Sequence, residues 1–179
     1  MSASAQLFAL FRTALFVVFI MGTVLVYLPW WLGMFRWPSD WVWRWELLGI
    51  VPLLAGIGIA LRCVFAFAWE GLGTPAPVDA PRKLVVTGWY RYVRNPMYWG
   101  AFLILLGEWA LFGTGWSTVL YLAGFLSAVL LFVVFYEEPA LQRKFGSEYE
   151  EYRRNVPRWI PRRFPWEGIS PSPPSGSAG

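Results

Sequence analysis

Residues 97–136 read MYWGAFLILLGEWALFGTGWSTVLYLAGFLSAVLLFVVFY, and Glu108 is the only charged side chain in that stretch. It divides into two apolar runs, Met97–Phe112 and Trp116–Tyr136, joined by Gly113-Thr114-Gly115. So short a link suits only an antiparallel hairpin. The apolar residues come as long runs rather than as amphipathic stripes, which is the pattern of a segment surrounded by hydrocarbon. A bilayer core about 30 Å thick needs about 20 such residues per helix, with every backbone group paired inside the segment.

Working outward, two more runs precede the hairpin. One extends from about Leu7 to Leu32 with Arg12 near its start, and the other from Leu47 to Trp69 with Arg62 and Cys63 in its later half. The whole composition agrees: 57% of the 179 residues are hydrophobic, 20% aromatic and only 15% charged, which is not the balance of a soluble domain. The first run is too long for the core of a cleaved leader and lacks a basic cluster before it, so it reads as a membrane helix. The expected fold is therefore all-α and polytopic. About four transmembrane helices (7–32, 47–69, 97–112 and 116–136) form a single domain over residues 1–168. The Ser-, Pro- and Gly-rich tail 169–179 has nothing to bury and is expected to be disordered.

The basic residues orient this arrangement. Arg82, Lys83, Arg91 and Arg94 lie between the second and third runs, and Arg143, Lys144, Arg153, Arg154, Arg158, Arg162 and Arg163 follow the fourth. With four spans both basic segments fall on one side, the cytoplasmic one by the positive-inside rule, together with both termini. Trp30, Trp31, Trp37, Trp41, Trp43 and Trp45 then mark the outer interface, where indoles anchor well. The net charge of +4 thus reports topology and contact with membrane lipids, and no nucleic-acid partner is expected.

Cys63 is the only cysteine and there is no histidine. That excludes an internal disulfide, a histidine general base and a His-ligated metal, and no carboxylate cluster suggests another metal site. Chemistry must come from the two basic segments. In the first, Gly and Pro punctuate residues 71–77, and residues 84–87 are briefly extended. A helical turn would set Arg91 and Arg94 on one face, and Asn95 before Pro96 suits Pro96 as the first residue of the third span. In the second, Glu137-Glu138-Pro139 closes the fourth run. A single amphipathic helix is then expected, carrying Leu141, Phe145, Tyr149, Tyr152 and Val156 on one side. Such a helix either lies on the membrane or folds back over the preceding loop.

Arg94-Asn95-Pro96-Met97-Tyr98-Trp99-Gly100, then Glu137-Glu138, then Phe145-Gly146, Tyr149, Tyr152 and Val156-Pro157-Arg158, resembles the membrane methyltransferase superfamily. That group contains the isoprenylcysteine carboxyl methyltransferases and the phospholipid N-methyltransferases. The resemblance covers about Gly73 to Pro161. It implies methyl transfer from S-adenosylmethionine to a lipid-like acceptor entering from the bilayer, in a small protein of the bacterial inner membrane. By the family's pattern the cofactor positions are Arg94, Asn95, Tyr98, Gly100, Glu137 and Glu138. Arg91 is a second candidate for the methionyl carboxylate, and Pro96 would fix the turn. Arg94, Tyr98 and Glu138 are the expected catalytic residues, and Gly100 would let backbone approach the cofactor closely. Arg62 and Arg153 are the expected contacts of the acceptor.

Asn95 stands where the carboxyl-methylating pattern has histidine, and it cannot carry charge. The Asn-Pro-Met-Tyr-Trp-Gly run points to an amine acceptor, whereas the Phe-Gly-x-x-Tyr-x-x-Tyr ending points to a carboxylate. Two other classes remain open: an NAD(P)H-dependent membrane reductase of related fold, and a non-enzymatic protein that binds lipid or a partner.

Overall fold

A computed structural model of the protein describes residues 11, 15, 17–35, 45–67, 83–112 and 115–168. The loop expected at 71–77, Arg12, Arg36, Arg44, Arg82, Trp37, Trp41, Trp43, Gly113, Thr114 and the tail 169–179 lie outside the described residues.

The described residues form helices and connecting segments, with no β-strand among them. We label the helices α1 (Val18–Trp31), α2 (Ile50–Ala66), α3 (Pro96–Phe112), α4 (Trp116–Phe132), α5 (Glu138–Phe145) and α6 (Ser147–Asn155). A tight 3-10 turn, Trp45–Gly49, leads into α2. The third helix starts at Pro96 as expected: its missing N–H is one that a first helical turn leaves unpaired anyway.

Among the described residues, two helical stretches are long and apolar enough to cross a membrane. Leu47–Ala66 has 20 residues and a mean hydropathy of 2.2, and Trp116–Phe145 has 30 residues and a mean hydropathy of 2.5. Only 22% and 6% of their most apolar windows are buried within the chain, so these are not the core helices of a water-soluble domain. Val18–Trp31 and Pro96–Phe112 are apolar but shorter.

The second of these stretches departs from expectation. Glu137-Glu138-Pro139 does not end the helix, because α4 runs on through a wider turn, Val133–Glu137, into α5. There the Glu138 N–H reaches back to the Val133 carbonyl. That looser turn carries the chain past Pro139, which has no N–H to donate. The break comes instead at Gly146, whose φ of +54° only glycine adopts freely, so the single amphipathic helix is two helices, α5 and α6.

α2 and α3 pack antiparallel through two glycine pairs. A Cβ on Gly56 would lie 2.6 Å from the Gly100 carbonyl oxygen, and one on Gly49 would lie 2.7 Å from that of Gly107. Small residues of this kind let two backbones touch where side chains would hold helices apart. On its other side α3 meets α1 and α4 around Leu25, Ala101 and Leu105, where Tyr121 donates to the Val24 carbonyl.

Candidate functional site

The site is assembled from the segment before α3 and the chain after α6, which lie against each other. Arg94 N–H donates to the Pro157 carbonyl at 3.0 Å, Arg162 N–H to Tyr92 at 3.0 Å, and Trp166 N–H to Arg91 at 2.9 Å. The pairing runs antiparallel, so residues 157–166 form a strap along residues 91–94. Side chains fasten it further. Asn95 Nδ2 donates to the Arg158 carbonyl at 3.1 Å, Trp99 Nε1 to the Trp159 carbonyl at 2.7 Å, and Arg91 Nε to the Trp166 carbonyl at 2.6 Å.

α6 seats the strap. Tyr149, Tyr152 and Val156 are buried against Leu84, Val86, Leu141, Phe145 and Trp166, so the helix folds over the loop rather than offering this face to the membrane. Tyr152 donates its phenol to the Tyr90 carbonyl at 2.8 Å. Burial raises the phenol pKa values of Tyr90 and Tyr152, and that of Tyr149 is pushed up to about 12. These hydroxyls therefore stay protonated.

At the centre is the Glu138 carboxylate, 7% exposed. Arg158 grips it with two parallel bonds, Nε to one oxygen at 2.8 Å and Nη2 to the other at 2.6 Å. Arg94 Nη1 lies 3.1 Å from the first oxygen. The hydrogen bonds to Glu138 raise the pKa of the Arg158 guanidinium further, against the smaller opposing effect of burial. Arg94 Nη1 also lies 3.5 Å from the Tyr149 hydroxyl, while its Nε is buried without a partner. Glu137, one residue back along the helix, faces α3 and accepts the Tyr98 hydroxyl at 2.8 Å.

Beside this polar cluster lies an apolar cleft of about 340 Å³ between α3 and α4. Tyr98, Trp99 and Trp159 form its end nearest the strap, and Phe102, Phe125 and Val129 continue it along the helices. Tyr98 belongs to both, since its ring lines the cleft and its hydroxyl reaches Glu137.

Most of the residues predicted from sequence meet here: Arg94, Asn95, Pro96, Tyr98, Glu137 and Glu138. Four do not. Arg91 and Arg94 do not share a face, because the turn Gly88–Arg91 ends between them and each takes its own partner. The close approach that Gly100 permits is to Gly56 and Ala60 of α2. Arg62 lines a different cavity, together with Arg91, and Arg153 is exposed on α6. Arg158 was not among the predicted site residues, although the Val156-Pro157-Arg158 motif was visible. Trp159 carries no sequence signal beyond being an indole beside that motif.

The family profile described as phospholipid methyltransferase matches residues 45–148, from the turn before α2 into α6. An isoprenylcysteine O-methyltransferase of Schizosaccharomyces pombe is 40% identical over 83 residues, 44% of this chain and 33% of that protein. A methanethiol S-methyltransferase of Crocosphaera subtropica is 37% identical over 103 residues, 56% of this chain and 36% of that protein. A phosphatidylethanolamine N-methyltransferase of Neurospora crassa is 26% identical over 147 residues, 74% of this chain and 14% of that protein. The chain thus spans about a third or less of the length of these relatives. No solved structure matches it. The relatives are methyltransferases acting on three different kinds of acceptor atom, which gives the hydride-transfer alternative no support. With over half its length matched, the chain belongs to the phospholipid methyltransferase family.

Proposed function

We propose that the protein transfers a methyl group from S-adenosylmethionine to a lipophilic acceptor, a carboxylate or an amine borne on a lipid-like chain, at the cytoplasmic face of a membrane. In this reading α1 and α3 also cross the bilayer, giving four spans with both termini on the cytoplasmic side. Residues 1–168 then act as one domain. The observation that carries the proposal is the shared wall at Tyr98. A polar, largely buried cluster of the kind a zwitterionic cofactor needs adjoins an apolar cleft of the kind a lipid chain needs.

The residues present suit the cofactor. The buried, unpartnered Nε of Arg94 is a donor waiting for an acceptor such as a carboxylate. Glu137 offers a carboxylate to an ammonium or to ribose hydroxyls. Tyr98, Trp99 and Trp159 present aromatic faces suited to a sulfonium cation. S-adenosylmethionine supplies, when bound, a methyl group on a positively charged sulfur. The protein's own part is to align that methyl with the acceptor atom and to exclude water, and neither task requires a histidine. Arg158 and Glu138 hold each other and so fix Arg94 and the strap. Asn95 does likewise through the Arg158 carbonyl, a positioning task that an amide performs without charge.

Glu137→Gln is the informative variant, because Glu138→Gln would also loosen the arginines that hold the strap. Calorimetry of S-adenosylmethionine and S-adenosylhomocysteine against the full chain in detergent, with and without lipid extract, should give micromolar binding that Glu137→Gln weakens. Radiolabelled methyl should then appear in the lipid fraction. Absence of binding under both conditions, in protein with an unchanged thermal transition, would overturn the proposal.

A further inference from the structure

A second cavity, larger than the cleft beside Tyr98, lies apart from it. It measures about 830 Å³ and lies at the end of α2, between Arg62 and Phe65 on that helix and the segment from Thr87 to Tyr92. Arg94, Glu137, Glu138 and Arg158 are not among the described residues that line it, and neither is any carboxylate.

Its polar groups are under-used. Arg62 is exposed and has no hydrogen bond or ion pair among the described residues. Arg91 gives Nε to the Trp166 carbonyl, leaving both terminal nitrogens directed to no partner among the described residues. The hydroxyl of Thr87 is buried without a partner. Two arginines and an orphaned hydroxyl in one cavity, with no carboxylate among its described lining residues, favour an anion with several oxygens. Phosphate, like carboxylate, matches the planar donor fork of arginine, and it has more oxygens to share among three donor groups.

The remaining surroundings narrow the source of that phosphate. Phe65 is 55% exposed at the cavity's edge, and Leu61, one turn back on α2, is 52% exposed. The apolar surface therefore continues from the cavity along a helix of membrane-spanning length. Trp89 and Tyr92, with ring centroids 6.1 Å apart, form another part of the lining. Such amphipathic rings favour the headgroup level of a bilayer. A soluble phosphate needs none of this apolar wall, whereas acyl chains do.

We propose that Arg62, Arg91 and Thr87 form a headgroup site for an anionic glycerophospholipid, whose chains lie along the Leu61–Phe65 side of α2. The site is separate from the Arg94–Glu138–Arg158 cluster and does not depend on the methyl-transfer reading. Arg62 and Arg91, expected from sequence to serve acceptor and cofactor, here serve the same bound lipid.

Native mass spectrometry of the full chain released from detergent, in an equal mixture of phosphatidylglycerol and phosphatidylcholine with matched chains, tests this. The wild type should retain phosphatidylglycerol in preference by about tenfold, the scale of one charge-assisted hydrogen bond. Arg62→Gln should abolish the preference and Arg62→Lys should keep part of it. Arg154→Gln, in an exposed pair elsewhere, should leave it unchanged. Retention of the full preference by Arg62→Gln, with an unchanged lipid-free thermal transition, would overturn the proposal. So would displacement of the lipid by millimolar inorganic phosphate, which would identify a soluble anion as the natural occupant.

Discussion

α2 and α4 flank the same helix and meet it in opposite ways. Along α2, glycines on both sides bring the two backbones into contact at Gly49–Gly107 and again at Gly56–Gly100. Along α4, side chains rather than backbones make the contact, and a cleft opens between the helices from Tyr98 to Val129. One side of α3 is closed by steric fit, and the other is left open to an apolar molecule. The difference teaches where ligand access is compatible with stability. The sealed seam can hold α3 in place while the open side admits and releases a chain.

The contrast can be broken most severely at the seam. Gly56→Leu would drive a side chain into the Gly100 carbonyl. It should cost on the order of 3 kcal/mol or more, read as lost yield and a lowered thermal transition in detergent. Gly58→Leu, whose Cβ meets nothing within 4 Å, should leave the transition nearly unchanged. Next in size is Glu138→Ala, which leaves Arg94 and Arg158 facing each other across a largely buried site. Removing one partner of a buried pair costs about 3–5 kcal/mol, and the partial exposure of Arg158 argues for the lower end. By comparison Glu150→Ala, which breaks the exposed pair with Arg154, should cost less than about 0.5 kcal/mol in the same denaturation measurement.

The open side is tested by filling it. Val129→Trp should lower kcat/KM for a long-chain acceptor by roughly tenfold or more, while cofactor affinity in calorimetry stays within about twofold. An equal loss of both would mean that cleft and cluster are not separate. A further test is a pH dependence. Tyr149 has its pKa raised from 10.0 to about 12 by burial, so the folded state keeps its proton longer than the unfolded chain does. The stability this contributes is fully present below pH 10 and is lost as pH rises toward 12. Tyr149→Phe should flatten part of that alkaline decline.

Much of this was legible in the sequence because apolar runs and proline positions act locally. The start of α3 at Pro96 and the presence of an apolar helix at α2 follow from such signals. The break at Gly146 was masked by Leu141, Phe145, Tyr149, Tyr152 and Val156, whose helical spacing continues across it. The strap left no trace because backbone groups make most of it, and a backbone carbonyl such as that of Pro157 looks alike in every residue. The glycine seam was equally hidden, since a glycine in an apolar run does not announce what will press against it. For the site, the Glu137-Glu138 pair was visible as a motif. Its division of labour was not, because it depends on a helix continuing past Pro139 and turning neighbouring side chains to different faces.

That continuing helix has a consequence for the membrane itself. Thirty residues from Trp116 to Phe145 make a rod about 45 Å long, more than the hydrocarbon thickness of a bilayer by roughly a third of its length. Trp116, 83% exposed at one end, favours one interface, and Glu137 and Glu138 lie about 32 Å further along the rod. Under the proposed topology the helix works as a depth gauge. In a bilayer matched to it the carboxylates emerge at headgroup level, whereas a thicker one would draw them into hydrocarbon or force the rod to straighten and lift its anchor. Lipid chain length should thus act on the site through the depth of Glu137 and Glu138.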